Sequence, residues 1–374
     1  MQISRALVIG GGIGGLTAGI ALRRKGIPVD IIERDPDWSV YGVGIIQQMN
    51  VIRAMDQIGV LEAYLSKAYG FDKTTLFAGP QGMKVAEFDA PRLAGPAYPA
   101  NAGIRRTDLQ KVLADKAAEV GAKVRLGVTV TALDDDGSGV YVTFSDGSTG
   151  RYDVVIGADG VFSTTRDMIL PDAPTPRYTG QWVWRYNLAR PEGLDGIQVF
   201  AGPCNAGLVP MNDTLIYMFV LSQEPEGFKL ATEGAAAAMR ERAARMAPPQ
   251  IAALLDQITD DAGVVARPLE VVFLDGDWHR GRVVLLGDAV HAATPHLAQG
   301  AGMAIEDALV LAEELVQAET PEAAFAAYRA RRMPRVRHVA ETSILIGDAQ
   351  MGKVEPVDVG ALNGKTMAMM AEPI

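Results

Sequence analysis

Cysteine is the scarcest residue of this 374-residue chain; there is one, Cys204. A single thiol closes no internal disulfide and builds no Cys-rich metal site. The sequence therefore points to a reducing, cytoplasmic setting, and no metal site is expected. Positive charge is in deficit: 35 Lys and Arg face 45 Asp and Glu, a net charge of −10. General nucleic-acid binding rests on neutralising phosphates, and that balance argues against it. Long apolar runs are missing too. The longest uncharged one near the start, Ala6–Leu22, contains six glycines and is shorter than the about 20 residues that a membrane helix needs. The same glycines would weaken the apolar middle of a secretory signal. No membrane association is expected.

What remains is a globular composition, 48% hydrophobic and 21% charged, long enough for about two domains. The chain opens as strand, glycine-rich turn, helix, strand. Arg5–Ile9 suits a buried parallel strand, and Leu16–Lys25 reads as a helix whose closing cations, Arg23, Arg24 and Lys25, suit its negative end. Gly26 stops it, and Val29–Glu33 is the next strand. Further helices are expected at Asn50–Ile58, Thr107–Val120, Ala235–Ala247, Gly302–Gln317 and Glu322–Met333. Strands are expected at Lys123–Leu126, Gly139–Phe144, Asp153–Ile156, Trp182–Leu188, Leu215–Val220, Val264–Leu269 and Arg282–Leu286. The pattern is α/β, with parallel-sheet elements at both ends. The stretch from about 176 to 267 has longer, antiparallel-looking strands and reads as a second domain inserted into the first. No repeat of 20–50 residues is present.

Three turns carry chemistry. Gly10-x-Gly12-x-x-Gly15 lies between a strand and a helix. The first glycine makes the tight turn, the second lets a pyrophosphate approach the backbone, and the third lets helix pack on strand. Glu33 ends the second strand 18 residues later, where a carboxylate accepts hydrogen bonds from a ribose hydroxyl pair. This motif alone does not separate NAD from FAD. The second turn closes the run Tyr152-Asp153-Val154-Val155-Ile156-Gly157-Ala158-Asp159-Gly160. The third closes Arg282–Leu286 with Gly287-Asp288, followed by His291, Pro295 and Gln299-Gly300-Ala301-Gly302.

Together, and in this order, the three turns resemble those of the single-component FAD-dependent aromatic hydroxylases, the para-hydroxybenzoate hydroxylase-like flavoprotein monooxygenases. The likeness runs from residue 1 to about 340. It implies a Rossmann-like FAD-binding domain (1–72, 98–175 and 268–340), an inserted β-sheet substrate domain (73–97 and 176–267) and a C-terminal tail (341–374). It also implies FAD as cofactor, NADH or NADPH as a transient reductant in the absence of a second GxGxxG, and O₂ as co-substrate. The implied reaction hydroxylates an aromatic or heteroaromatic small molecule through a flavin hydroperoxide, in a monomer or homodimer. A halogenase or prenyl reductase of the same superfamily is the alternative enzyme, although Trp182-Val183-Trp184-Arg185-Tyr186-Asn187 departs from the halogenase Trp-x-Trp-x-Ile-Pro. A non-catalytic FAD-binding protein is the other alternative, disfavoured by retention of all three turns.

Motif and resemblance together give a cofactor set of Gly10, Gly12, Ile13, Gly14, Gly15, Glu33, Arg34, Gly44, Arg106, Val130, Asp159, Asp288, Pro295, Gly300, Ala301, Gly302 and Met303. Asp288 is placed to accept hydrogen bonds from ribityl hydroxyls. The start of the Gly302–Gln317 helix offers N–H groups and a positive dipole end to a reduced flavin. Arg106 is expected to pair with FAD, with Arg105 as the fallback. Gly302 and Met303 stand where many family members carry Asn or Cys. On the substrate side the catalytic candidates are His296, which titrates near neutrality as an ordinary histidine, Pro295 at the flavin ring, Tyr217, and Arg185 for an anionic ring. Trp184 is a further candidate beside it. Met211 and Cys204 are read as structural, His291 as a helix-approach residue, and Glu306 and Asp307 as first-turn acids offsetting the dipole. The arginines at 329, 331, 332, 335 and 337 are read as a solvated or internally paired helix face. The tail from Gly352 to Ile374 shows no period and is read as a cover for the substrate entrance or a dimer contact.

Overall fold

The chain is described by a computed structural model over residues 3–202, 205–245 and 248–374, so Cys204 and the end of the Ala235–Ala247 helix lie outside the described residues. Ala6–Ile9 is fully buried and forms a central strand of a six-stranded sheet. The order is His279–Arg280, Val283–Leu285, Val154–Gly157, Ala6–Ile9, Val29–Glu33, Lys123–Leu126. All pairs are parallel except the edge hairpin at His279–Arg280. The apolar runs Ala-Leu-Val-Ile and Val-Val-Ile-Gly suit strands covered on both faces. The helix Ile13–Arg24 covers one face and packs against the helices Gly300–Gln317 and Arg106–Glu119. Gly19 brings it close, for a Cβ there would sit 2.5 Å from the Ile31 side chain.

The second large sheet has seven strands, in the order Val265–Val271, Arg177–Ala189, Leu215–Gln223, Ala206–Pro210, Ile197–Ala201, Lys73–Ala78, Met83–Asp89. Only the pair Ile197–Ala201 with Lys73–Ala78 is parallel. Alternation divides its residues between two faces. Trp182, Trp184, Tyr186, Met218 and Val220 pack behind, with Met239 and Ile251 of the helices Ala235–Ala244 and Pro249–Ala252. Val183, Arg185, Tyr217, Phe219 and Leu221 point forward, to a cavity between this sheet and the first. Two smaller sheets complete the strands; in one, Gly44–Gln47, Asn101–Arg105 and Tyr69–Phe71 pair beneath that cavity.

The C-terminal part differs from the sequence reading. The helix expected to end at Met333 runs from Pro321 to Gln350, through Pro334. Proline removes one backbone bond and crowds the preceding turn. Buried contacts on either side, through Tyr328, Arg332, Arg335, Val336 and Val339, hold the helix across that point. Residues 341–350 thus continue a framework helix rather than begin a tail. Val359–Ala371 is a helix as well. Its end is fixed by arginines: Arg53 donates to the carbonyls of Met370, Ala371 and Glu372, and Arg335 to those of Glu372 and Pro373. None of the described helices is long and apolar enough to cross a membrane.

Candidate active site

The first glycine turn is shaped by close backbone contacts. Gly10 adopts φ +109°, and a Cβ there would lie 2.4 Å from the Ala158 carbonyl oxygen, so a side chain would separate the first and second turns. Gly12 is different: nothing lies within 4 Å of where its Cβ would be, and it lines the cavity. The helix that begins at Ile13 has no side-chain cap and no acidic residue in its first turn. Its free N–H groups and positive dipole end face that opening, an arrangement suited to an anion. Glu33 holds this turn from below: its carboxylate accepts the N–H of Gly11 (2.8 Å) and of Asp35 (2.9 Å). A carboxylate has about four acceptor positions, so capacity remains for ribose hydroxyls. Trp38 and Gln110 both donate to the Gly11 carbonyl at 2.8 Å, two partners not anticipated from the motif.

The second turn places Ala158 and Gly160 at the cavity but not the Asp159 carboxylate. That group caps the helix Thr164–Ile169, accepting from Ser163 Oγ (2.5 Å) and from the N–H and hydroxyl of Thr165 (both 2.9 Å). These donors engage both carboxylate oxygens within the turn, so Asp159 fixes the turn's shape. Arg166, buried, donates to the carbonyls of Val161 and Ala289 and so ties the second turn to the third.

The third turn begins at Gly287, with φ +63°. Asp288 faces the cavity and makes no hydrogen bond to the described chain. Protein surrounds it on its other sides, and that desolvation raises its pKa. The following segment Pro295–Leu297 and then Gly300, Ala301 and Ala304 continue the cavity wall. The helix starts at Gly300, two residues earlier than expected, again without a side-chain cap or first-turn acid. Gly302 and Met303 lie on its other side. A Cβ on Gly302 would meet Gln299 Oε1 at 2.6 Å, and buried Met303 takes a contact from Arg332 at its sulfur. Helical periodicity turns both away from the cavity.

Glu306 and Asp307 are not solvated first-turn acids. Both are buried, at 1% and 0% exposure. Asp307 accepts from Gly287 N–H (3.0 Å), His291 Nε2–H (2.6 Å) and Arg332 Nε (2.7 Å), and Glu306 accepts from Arg332 (2.6 Å), Arg335 (3.1 Å) and Asn50 (2.9 Å). His291 and Arg332 hold the Asp307 carboxyl down at about 2, against the opposing effect of burial. His291, read as a helix-approach residue, thus belongs to this network. The arginine run is internally paired: Arg332 and Arg335 here, Arg331 with Glu313 and Glu314, Arg337 with Asp275.

On the substrate side, Tyr217, Arg185 and Arg106 face one another across the cavity. Gly44 is required by this packing, since a Cβ there would lie 2.1 Å from the Tyr217 ring. Burial pushes the Tyr217 hydroxyl up to about 12, partly offset by the two arginines. Arg185 is lowered to about 10, first by desolvation and then by repulsion from Arg106, and Arg106 is lowered by desolvation. Neither guanidinium has a hydrogen-bond or ion-pair partner among the described residues. His296 lines the same cavity with both ring nitrogens engaged, Nδ1 with Thr294 (2.8 Å) and Nε2 with Gln350 Oε1 (3.0 Å). Desolvation takes its pKa down to about 4, so it is neutral at pH 7 rather than titrating there. Trp184 is on the opposite face of its strand, donating to Ser222 under the Arg242 guanidinium. Val130 is a core residue, and Arg34 is exposed away from the cavity wall.

The cavity measures about 820 Å³. One wall, at Tyr41, has no counterpart in the sequence reading, and another belongs to the tail that was read as a cover for the substrate entrance or a dimer contact. Tyr41 receives two hydrogen bonds from Arg267, strapping the loop before Gly44 to the seven-stranded sheet. Val359, Asn363, Thr366 and Met367 bring the C-terminal helix to the cavity. No local pattern marks these positions, because each is brought there by a contact distant in sequence.

The residues present fit FAD: open glycines at 12 and 300, two uncapped helix starts, an unpaired Arg106 and a carboxylate, Asp288, without an internal donor. Comparison with known proteins agrees. Residues 4–343 match the family model described as "FAD binding domain". The chain is 33% identical over 370 residues to the aurachin C monooxygenase/isomerase of Stigmatella aurantiaca, covering 98% of this chain and 94% of that one. It is 31% identical over 361 residues to the 6-hydroxynicotinate 3-monooxygenase of Pseudomonas fluorescens, covering 91% of each. The crystal structure of Klebsiella pneumoniae HpxO complexed with FAD and uric acid superposes with a TM-score of 0.83 at 27% identity, covering 99% of this chain and 93% of that one.

Proposed function

Because the chain belongs to the FAD-dependent aromatic hydroxylase family, we propose that it oxidises an anionic aromatic or heteroaromatic ring seated between Arg185, Tyr217 and the Pro295–Leu297 turn. It is an FAD-dependent monooxygenase that uses NAD(P)H and O₂. When bound, FAD would supply the redox chemistry of a monooxygenase, in which two electrons from NAD(P)H reduce O₂ so that one of its oxygen atoms enters the ring and the other leaves as water.

The chain's own contribution follows from its side chains. Gly10, Gly12 and the N–H groups at the start of Ile13–Arg24 receive the pyrophosphate, with Arg106 adding positive charge. Glu33 and Asp288 accept from the sugar and ribityl hydroxyls. The uncapped start of Gly300–Gln317 offsets negative charge on the reduced cofactor. Arg185 attracts the substrate as its anion, and an anionic ring is richer in electrons. Tyr217, neutral at any ordinary pH, orients the ring as a hydrogen-bond donor. His296 is neutral and already bonded at both nitrogens, so it shapes the wall instead of removing a proton. The ring therefore enters already ionised, its proton lost to solvent water before binding, and the field of Arg185 keeps it so by lowering the pKa of a phenol or enol beside it. The apolar sheet face excludes water from the reacting atoms.

The observation that carries this reading is the desolvated Arg185 guanidinium at the cavity wall, with no carboxylate bonded to it, in addition to Arg106, whose charge the cofactor takes up. A buried cation without a partner is costly, and an incoming anion relieves that cost. The test is NAD(P)H consumption, with hydrogen peroxide measured alongside, across phenolic acids, hydroxypyridinecarboxylic acids and their uncharged counterparts, in which the hydroxyl is a methyl ether and the carboxyl a methyl ester. Anionic rings are expected to stimulate turnover and the uncharged counterparts to fail. Arg185→Gln should raise KM for the best anionic ring at least about tenfold, the loss of a charged hydrogen bond of about 1.5–3 kcal/mol, while FAD stays bound. Equal stimulation by the uncharged counterparts would refute the assignment.

A further inference from the structure

The front face of the seven-stranded sheet extends well beyond Arg185 and Tyr217, and its chemistry changes. In register, Arg185 stands beside Phe219, then Gly207, Val199 and Leu76. Gly207 has no side chain, and the Phe219 ring occupies the space, 2.3 Å from where a Cβ would be. The next row reads Arg267, Val183, Leu221, with Asn205 beyond; Leu269 packs against Val183 and Leu221, and the Arg267 guanidinium is taken up by the Tyr41 hydroxyl. From Tyr217 to Leu221 the strand advances four residues, roughly 14 Å at about 3.4 Å each. A single aromatic ring held at Tyr217 does not cover that distance. Beyond it the wall is Phe219, Val199, Leu76, Val183, Leu221 and Leu269, all lining the same cavity. At the outer strand the cavity is edged by Val85, a valine 58% exposed.

We infer that this apolar stretch binds an aliphatic side chain carried by the aromatic substrate, so that the enzyme selects an acidic ring bearing an alkyl or prenyl-like tail. The inference rests on the reading that the ring sits at Arg185 and Tyr217. Its physical basis is separate. The charged end of the cavity fixes the ring, and the apolar end leaves hydrocarbon surface uncovered until a tail buries it. Each fully buried methylene contributes about 0.8 kcal/mol, which is about fourfold in affinity. The tail is continuous with the ring site, so it also sets the ring's orientation: the tail runs toward Leu221, and the ring's opposite edge faces the Pro295–Leu297 turn.

The test is calorimetric titration of the FAD-loaded protein with 2,4-dihydroxybenzoates bearing a methyl, propyl or pentyl chain at ring position 6. All three carry the same carboxylate and hydroxyls. The dissociation constant is expected to fall at each step and by more than tenfold from methyl to pentyl. Leu221→Asn should reduce that pentyl-to-methyl ratio below about threefold, with FAD content confirming the fold, and the wild-type series stands on its own if the variant does not fold. Equal affinity for all three chains, within twofold, overturns the tail site and leaves the ring site standing. A ratio unchanged in a folded Leu221→Asn protein also overturns it. Absence of binding by every member overturns the anionic-ring reading and the tail site together.

Discussion

Asp307→Asn tests whether the buried charge network supports the cofactor cradle. The substitution keeps the shape and removes one negative charge from a site with 0% exposure. In the native protein that carboxylate accepts from Gly287 N–H, His291 and Arg332 at once. Asparagine has one acceptor oxygen and an NH₂ that faces donors, so at least one of these groups is left unsatisfied. As a charged partner Arg332 retains Glu306, which Arg335 also uses, beside the weaker contacts to the Met303 carbonyl and sulfur. Breaking a buried pair by neutralising one partner costs about 3–5 kcal/mol. The acid-side linkage gives a consistent scale. A carboxyl held at about 2 against an ordinary 3.8 contributes about 2 kcal/mol. That contribution is fully present above pH 3.8 and is lost as pH falls through 2. Urea unfolding of the apoprotein followed by tryptophan fluorescence measures the loss; Trp278 reports locally, its ring centroid 5.9 Å from that of His291. FAD affinity should fall as well, because the Gly287 N–H that sets the third turn loses its acceptor. An Asp307→Asn protein within about 1 kcal/mol of the parent in stability, with unchanged FAD affinity, would refute a supporting role for the network.

Two further outcomes are expected. His296 has its pKa lowered from 6.5 to about 4, so the unfolded chain binds its proton first: this residue's contribution is present above about pH 6.5 and is lost as pH falls toward 4. The change is about 3 kcal/mol, and a His296→Asn protein should lack that slope in a stability profile between pH 4 and 7; an identical slope would assign it elsewhere. Gly12→Ala should fold normally, because its Cβ meets nothing within 4 Å, yet lose FAD affinity. Gly10→Ala should lose both, with a Cβ 2.4 Å from the Ala158 carbonyl and φ +109°. Thermal melts beside flavin-fluorescence titrations separate the two, and unaltered FAD binding in Gly12→Ala would remove that turn from the cofactor site.

Much of the cradle was legible because it is local. A βαβ unit writes its strand, turn and helix within about 30 consecutive residues, and the three glycine turns lie together in the structure, as their resemblance to FAD-dependent hydroxylases implies. The local bonding of the Asp159 carboxylate was not legible, because its donors, Ser163 and Thr165, come from the turn of helix that it caps. The side-chain direction at Gly302 and Met303 was not legible, because the helix starts at Gly300, two residues before the expected start. Pro334 read as a helix end because proline breaks local bonding, and only the buried side chains around it show why the helix continues.

By itself the amino-acid order determined the α/β alternation, the backbone freedom at Gly10, Gly12 and Gly300, and the absence of a disulfide or Cys-rich metal framework. Those are properties of neighbouring residues, and chain connectivity delivers them. Tertiary structure alone decided that Arg332 reaches Asp307 across 25 positions, that His296 is neutral, that Arg185 stands unpaired beside Tyr217, and that Phe219, Val183, Leu221 and Leu269 form an apolar patch on the same face. Charge state and cavity chemistry depend on what surrounds a side chain in space. In this fold those surroundings come from strands and helices far apart in the chain.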